Sequence, residues 1–423
     1  MARDQLRTAV IIAVGSELLT PERVDTNSLF LTGALNEMGV QLRHKVVVGD
    51  ARDDIGAALL AAAAQADIVV VTGGLGPTDD DVTREAVATA FGMPLEEDED
   101  VAAEVRSRFA ARGLAMPAIN RRQALVPRGA TVLPNPDGSA PGLWIERPEV
   151  VCIVLPGPPR ELRGMFEAVA RTRLAAACGR QGIFRRVLRV TGRPESYVDE
   201  VASPVYSRWL SAPVPISTSV LASRGEVKLH LAARAATRED ADGALDAATG
   251  ELAAVLGRDL VSSDGAVLEE VVGRLLRASG RRVAVAESCT GGLIASRLTD
   301  IPGSSDYVHA GWVAYHNEAK TALLGVDERL IEAHGAVSEP VARALAEGCR
   351  KRAGTDYGLG VTGVAGPGGG SSEKPVGTVY VALAGPGERV RVRRLSLPGD
   401  RERVKHFASQ AALDLLRRAI LQE

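Results

Sequence analysis

The chain is 423 residues long, too long for one ordinary core, so length alone predicts roughly two to three domains. Hydrophobic residues make up 46% and charged residues 24%, near globular averages, while aromatics reach only 4%, so aliphatic and alanine packing must fill the cores. A net charge of -3 supplies no bulk attraction to nucleic acid or to an anionic membrane, and no direct nucleic-acid contact is expected. The cysteines Cys152, Cys178, Cys289 and Cys349 are scattered, with no CxxC pair and no zinc-ligand spacing, which reads as a reduced compartment. Arg3 and Arg7 before "AVIIAVG" loosely imitate a signal peptide, but the run is short, meets Glu17 and lacks a small-x-small cleavage site. No apolar run approaches the ~20 residues of a membrane span. "AALLAAAAQADIVVV" is broken by Gln65 and Asp67, so the expectation is a cytoplasmic protein with no membrane contact.

The first ~170 residues alternate strand and helix patterns. "TAVIIAVG" reads as a buried strand, "TNSLFLTGALNEMG" as a helix stopped at Gly39, and "QLRHKVVVGD" as a second strand. "DDIGAALLAAAAQA" follows as an amphipathic helix, "DIVVVTGG" as a third strand and "DDVTREAVATAFG" as a helix. "LEEDEDVAAEVRSRFAARG" reads as a solvated helix and "EVVCIVLPGPP" as a late strand ending in a turn. Such alternation predicts an α/β unit, a mostly parallel sheet covered on both faces, over residues 1–172. Residues 173–257 change texture: "RRVLRVTG" and "GEVKLHLAARA" alternate like half-exposed strands, predicting a small α+β connector.

Residues 258–423 form a third unit, again α/β. "AVLEEVVGRLLRASG" is an amphipathic helix closed by Gly280, "RRVAVAES" a strand, and "GGLIASRLTDIPG" the opening of a helix. "HAGWVAYHNEAK" passes from strand to helix. "VSEPVARALAEGCRKRAG" is a helix with Ser338 at its N-cap, its capping box left incomplete by Val341. "YGLGVTGVAGPGGG" runs from a strand into a Gly-rich loop, "GTVYVALAG" and "RVRVRRLSL" form a hairpin, and "RERVKHFASQAALDLLRRAI" is a last helix.

Two stretches carry chemistry. In "TGGLGPTDDDVT", Gly73, Gly74 and Gly76 can offer backbone N–H groups to phosphate, and Asp79, Asp80 and Asp81 can bind a hard divalent cation such as magnesium. A capped helix start accounts for the same residues, because acids are favoured there. In "AVAESCTGGL", a strand end meets Gly291-Gly292 and a helix, a place where N–H groups stabilise an oxyanion. Ser288 there is a nucleophile if a base reaches it, and Cys289 is its rival. Lys320 in "AYHNEAK", with Tyr315 five residues earlier, is the candidate base, because a buried lysine can lose its proton whereas arginine cannot. Thr362 and Gly363 in "VTGVAGPGGG" can meet a substrate, and Arg401 in "PGDRERV" can hold a phosphate. Taken singly, Ser288 reads as a helix cap, Cys289 as a small buried hydrophobe and Lys320 as a solvated side chain; their joint occurrence favours a site.

"AESCTGG", "GWVAYHNEAK", "HGAVSEPVA", "VTGVAGPGGG", "EKPVGTVY" and "PGDRERV" occur in an order that resembles the C-terminal domain of the CinA (competence/damage-inducible) family. The resemblance implies a nicotinamide mononucleotide (NMN) deamidase releasing ammonia, with Ser288 as nucleophile, Lys320 as base, Tyr315 as its hydroxyl partner, and no cofactor. It also implies Thr362 and Arg401 as substrate contacts beside the Gly291-Gly292 turn. "VGSELLTPERVDTNSLFL", "VGDARDDI", "TGGLGPTDDDVT", "NPDGSAPG" and "LPGPPREL" resemble the molybdopterin-binding-like (MogA/MoaB-like) domain of full-length CinA proteins. That implies metal-dependent ADP-ribose pyrophosphatase activity, with Glu17, Asn27, Asp50, Gly74 and Asp81 lining the site. The connector departs from the family: where a Gly-x-Gly-Glu-Ser type motif is expected, "TGRPESYVDE" keeps only Glu195 and Ser196 of it. The alternatives are a molybdenum-cofactor protein or a non-enzymatic competence or DNA-damage partner, and a homodimer is the default assembly.

Overall fold

The computed structural model describes residues 8–178 and 182–422, so Arg3 and Arg7 lie outside the described residues. The chain forms two compact units, Met1–Phe184 with Ala233–Gly243, and Arg185–Ala232 with Ala244–Glu423. Among the described residues no helix is long and apolar enough to cross a membrane, and the four cysteines are free thiols.

The first unit begins with β1 (Thr8–Val14), α1 (Thr26–Glu37), β2 (Gln41–Val48), α2 (Arg52–Ala63), β3 (Ile68–Thr72) and α3 (Thr83–Ala90). β1 and β3 are apolar runs buried on both faces, as the central strands of a covered parallel sheet must be. The chain continues through β4 (Leu95–Glu97), α4 (Glu99–Ala110), β5 (Leu125–Pro127), β6 (Thr131–Leu133), β7 (Gly142–Glu146), β8 (Val151–Leu155), α5 (Pro159–Met165) and α6 (Arg171–Ala177). The six-stranded sheet has the order β2-β1-β3-β8-β7-β6, and β2, β1, β3 and β8 run parallel. β7 is antiparallel to β8, and β6 to β7, so the expected parallel sheet carries an antiparallel edge. The cause is length: residues 147–150 between β7 and β8 leave no room for a crossover helix. The acidic stretch is likewise not one helix. Leu95–Glu97 pairs with β5, and α4 starts only after Asp98, whose carboxylate accepts from the N–H groups of Asp100 (3.0 Å) and Val101 (3.1 Å).

The connector comprises β9 (Gly182–Thr191), α7 (Glu195–Tyr206), β10 (Ile216–Ser223), β11 (Glu226–Ala235), α8 (Arg238–Leu256) and β12 (Leu260–Ser262). Its sheet order, β10-β11-β9-β12, with the β-α-β-β-α-β succession, is that of a split βαβ (ferredoxin-like) fold. β11 alternates buried and half-buried positions along its whole length, the pattern of a sheet with one covered face.

The C-terminal part of the second unit contains α9 (Leu268–Ser279), β13 (Val283–Glu287), α10 (Leu293–Thr299), β14 (Val308–Val313), α11 (Asn317–Leu324), α12 (Glu328–His334) and α13 (Glu339–Ala353). It closes with β15 (Tyr357–Gly363), β16 (Thr378–Ala384), β17 (Val390–Ser396) and α14 (Arg401–Ile420). The sheet order is β14-β13-β15-β16-β17, with β13 parallel to β14 and β15, and β16–β17 the expected hairpin. One face packs on α9, α10 and α14 and the other on α11 and α13, and both cores are aliphatic. Ser338 does sit at the N-cap of α13, but its hydroxyl donates to the Gly335 carbonyl (2.8 Å) instead of accepting from the helix. Pro340 in the first turn removes one of the donors that a cap would have satisfied.

Candidate active sites

In an open α/β sheet, ligands bind beyond the carboxyl ends of the strands where the strand order reverses. The first unit reverses between β1 and β3, and a cleft of about 380 Å³ opens there. Gly15, Glu17, Asp50, Gly73, Gly74 and Gly76 line it, together with Asp80 and Asp81. The turn after β3 needs its glycines. Gly73 (φ 95°) and Gly74 (φ 65°) occupy the left-handed region, and a Cβ on either would collide with the Val14 carbonyl or the Thr83 hydroxyl.

Two guanidinium groups hold the turn from behind. Arg84, 1% exposed, donates to the carbonyls of Leu75 and Gly76, and burial lowers its pKa to about 10. Arg122 donates to the carbonyls of Thr78 (2.9 Å) and Asp81 (3.4 Å) and pairs with Glu85 (3.1 Å) and Asp79 (3.4 Å). With its carbonyls tied back, the turn can present N–H groups to an anion.

Asp79 stands outside the lining, and so does Asn27. Its Nδ2 donates to the Gly157 carbonyl (2.7 Å), which supports the cleft wall, while its Oδ1 is buried without a partner among the described residues. Sequence reasoning missed Glu161, Gln123 and Ser139, which also line the cleft. Glu161 accepts from Asn135 (2.7 Å); both stand inside the quoted stretches "LPGPPREL" and "NPDGSAPG", which were the available signal.

The predicted metal pair needs adjustment. The Asp81 carboxylate is engaged by the N–H (3.0 Å) and hydroxyl (2.5 Å) of Thr78, and Asp79 is turned to Arg122. Among the described residues no group of three His, Cys, Asp or Glu side chains converges as a closed metal cage. Five carboxylates, Glu17, Asp50, Asp80, Asp81 and Glu161, nevertheless line the cleft, and no Lys or Arg does. Oxygen donors of this kind fit a hard divalent cation.

The second site stands at the matching point of the other sheet, where β13 ends between β14 and β15. Glu287, Ser288, Cys289 and Thr290 are all buried, and Gly291 (φ 62°) and Gly292 (φ 92°) turn the chain into α10. The Glu287 carboxylate accepts from the N–H groups of Gly292 (3.0 Å), Ile294 (3.1 Å) and Ala295 (2.9 Å). The helix N-terminus is therefore filled by the protein's own carboxylate. The N–H groups of Cys289 and Thr290 remain without a backbone acceptor among the described residues. The Thr290 hydroxyl is buried and unpartnered as well.

Cys289 belongs to the apolar core against α9 and α14, and burial pushes its thiol up to about 12 despite the opposing fields of Arg401 and Lys320. A thiol so protonated is a poor nucleophile. Lys320, 2% exposed, lies in α11 and donates to the Tyr315 carbonyl (2.9 Å). Burial holds its pKa below the usual lysine value. The expected Tyr315 hydroxyl partner is placed differently: Tyr315 is half-exposed on the loop after β14, and its hydroxyl accepts from Arg401 Nη2 (2.6 Å). The carbonyl of that loop faces inward to Lys320 while the ring projects outward to α14. Arg401 also donates through Nη1 to the Gly366 carbonyl (2.8 Å), so it ties the Tyr315 loop to the Gly-rich loop after β15. Thr362, buried on β15, donates to the Ala336 carbonyl (2.8 Å). Gly363 is needed for close strand packing, since a Cβ there would lie 2.7 Å from Val379 Cγ2.

Fold and sites together define a two-unit α/β protein, each unit carrying a glycine turn at the switch point of its sheet. Residues 265–420 match the CinA C-terminal domain model, and residues 10–176 match a model described as "Probable molybdopterin binding domain". A CinA-like protein of Solibacter usitatus is 45% identical over 412 residues, covering 97% of this chain and 98% of its own. Another from Koribacter versatilis is 46% identical over 419 residues, covering 98% and 100%. The crystal structure of the competence/damage inducible protein CihA from Agrobacterium tumefaciens is 40% identical, with a TM-score of 0.35 over 37% of this chain and 96% of its own. The chain belongs to the CinA family, with a molybdopterin-binding-like domain at its N-terminal end.

Proposed function

We propose that the C-terminal unit is a serine amidase that hydrolyses NMN to nicotinate mononucleotide and ammonia. The observation that supports this reading is a buried lysine on α11, Lys320, close enough for its charge to act on Cys289, the residue after Ser288, while burial lowers the lysine's own pKa and keeps the rival thiol protonated. Lys320 as a free amine takes the Ser288 proton, and Ser288 Oγ attacks the carboxamide carbon. The N–H groups of Cys289 and Thr290 receive the oxyanion. The C–N bond breaks, ammonia leaves with the proton carried by Lys320, and an acyl-serine remains. Water then attacks that ester, Lys320 again takes the proton, and nicotinate mononucleotide departs as Ser288 is restored. Thr362 meets the substrate, and the Arg401 clamp closes the loops around it.

In the same reading the N-terminal unit cleaves ADP-ribose to AMP and ribose 5-phosphate. Its glycine turn receives phosphate oxygens, and a bound divalent cation would neutralise the diphosphate among Glu17, Asp50 and Asp80. Together the two activities would recycle products of pyridine-nucleotide breakdown. The matching molybdopterin domain model favours one competing reading, a pterin as the N-terminal ligand, and competition between a pterin and ADP-ribose for the cleft discriminates the two.

The test is ammonia release from NMN by the purified protein, with and without chelator. Chelator-resistant release that disappears in Ser288→Ala supports the reading. Release that persists in Ser288→Ala, or no release from folded protein, overturns it.

A further inference from the structure

We infer that Lys405, not Arg401, is the cation that receives the anionic group of the C-terminal unit's substrate. This rests on the amidase reading for the substrate class, but its geometry is independent of the reaction. Lys405 lies one helical turn after Arg401 on α14. Its Nζ comes within 3.5 Å of where a Cβ on Gly291 would sit, so the ammonium group faces the glycine turn that follows Ser288.

The neighbouring charges are already engaged. The Asp400 carboxylate caps α14 through the Arg403 N–H (2.9 Å), Glu402 pairs with Arg224 (2.7 Å), and Glu287 serves the N-terminus of α10. Arg401 directs its terminal nitrogens to the Tyr315 hydroxyl and the Gly366 carbonyl. Lys320 donates to the Tyr315 carbonyl. Among the described residues the Lys405 ammonium group alone of these cations has neither a hydrogen bond nor an ion pair.

A half-buried lysine beside the proposed nucleophile, with every nearby carboxylate committed elsewhere, is a receptor for an anion brought by the ligand. The glycine at 291 leaves the space before the ammonium group free of a side chain, and any other residue there would strain a left-handed backbone. The chemical class that fits is a phosphate monoester, whose dianion sits on the cation while the amide reaches Ser288. Lys405 is thus a specificity residue that separates nucleotides from the corresponding uncharged nucleosides.

The experiment compares wild type, Lys405→Gln and Lys405→Arg in the full chain, after a melting curve shows that each is folded. Substrates are NMN and its dephosphorylated form, nicotinamide riboside. The expected result for Lys405→Gln is a KM for NMN raised about tenfold or more with kcat within about twofold, and an unchanged KM for the riboside. Lys405→Arg restores most of the NMN affinity. An unchanged NMN KM in Lys405→Gln overturns the inference while leaving the amidase reading in place. If wild type releases no ammonia from either compound, the amidase reading has failed and inorganic phosphate becomes the probe. Saturable phosphate binding that Lys405→Gln abolishes then supports the inference, and equal binding, or none in wild type, overturns it.

Discussion

Glu287 offers the most direct check on how the turn after β13 is built. Its carboxylate is 1% exposed and accepts three N–H donors at 2.9–3.1 Å. Glu287→Ala leaves all three donors without an acceptor, each costing about 1–3 kcal/mol when it stays buried. The first turn of α10 can fray to reach water, so the lower end applies and the loss is about 3 kcal/mol. Glu287→Gln keeps one acceptor oxygen but sets an NH2 group against the remaining donors, and an intermediate loss of about 1–2 kcal/mol follows. Two units in one chain make global unfolding unsuitable as a readout. Native-state hydrogen exchange at the amides of Gly292, Ile294 and Ala295 reads the opening directly. A 3 kcal/mol loss appears as protection lowered by about two orders of magnitude, confined to this turn. Ammonia release from NMN falls in parallel, because Ser288 is the next residue. Protection in Glu287→Ala within about threefold of wild type refutes the reasoning, since it means that the carboxylate does not hold the turn.

Lys320 has a folded pKa below its usual 10.5, so between the two values the unfolded chain holds a proton that the folded chain lacks, and stability rises with pH across that window. Lys320→Met removes this rise, which native-state hydrogen exchange of the α11 amides at stepped pH, corrected for the intrinsic exchange rate, would record, and Lys320→Arg abolishes ammonia release at every pH because arginine stays protonated. Cys289→Ala costs about 1–2 kcal/mol of core packing and leaves kcat within about twofold; loss of turnover with the fold intact would make the thiol the nucleophile. Arg84→Met strips the Leu75 and Gly76 carbonyls of their donor, so ADP-ribose cleavage falls by about tenfold or more while ammonia release is unchanged. Equal loss of both activities would show that the effect is on folding.

Much of the architecture was legible because period and punctuation agree. "RERVKHFASQAALDLLRRAI" is α14 to the residue, and the buried runs "TAVIIAV" and "IVVVT" are the central strands β1 and β3. The antiparallel edge was not, because "TVL" and "GLWIE" are too short to show a period and their pairing is decided by connection length. In the sites, the candidate residues could be named from the sequence, but their hydrogen-bond partners could not. "AESCTGG" names Ser288 and Glu287, but only three dimensions show that Glu287 occupies the helix donors once expected for the oxyanion. "PGDRERVK" contains both Arg401 and Lys405, and the sequence points to the arginine as the anion contact. The geometry turns that arginine to Tyr315 and Gly366 and leaves the lysine open.

The two sites use one device with opposite electrostatics, and the difference dictates what each can bind. Both place a glycine turn beyond the carboxyl end of a central parallel strand. The N-terminal cleft is lined by five carboxylates and no cation, its guanidinium groups lying behind the turn on carbonyl oxygens. A polyanion entering such a cleft alone meets like charge, which in the proposed reading a bound divalent cation would offset. The C-terminal turn has the reverse arrangement. The Glu287 carboxylate is enclosed by N–H groups, and the positive charges of Arg401 and Lys405 lie near the turn. An anionic substrate is attracted there directly, and a divalent cation is repelled. Rising magnesium should therefore increase turnover in the N-terminal unit and leave the KM for NMN in the C-terminal unit unchanged, apart from ionic-strength screening that sodium reproduces at matched strength. A KM that falls specifically with magnesium would contradict the charge assignment of the second site.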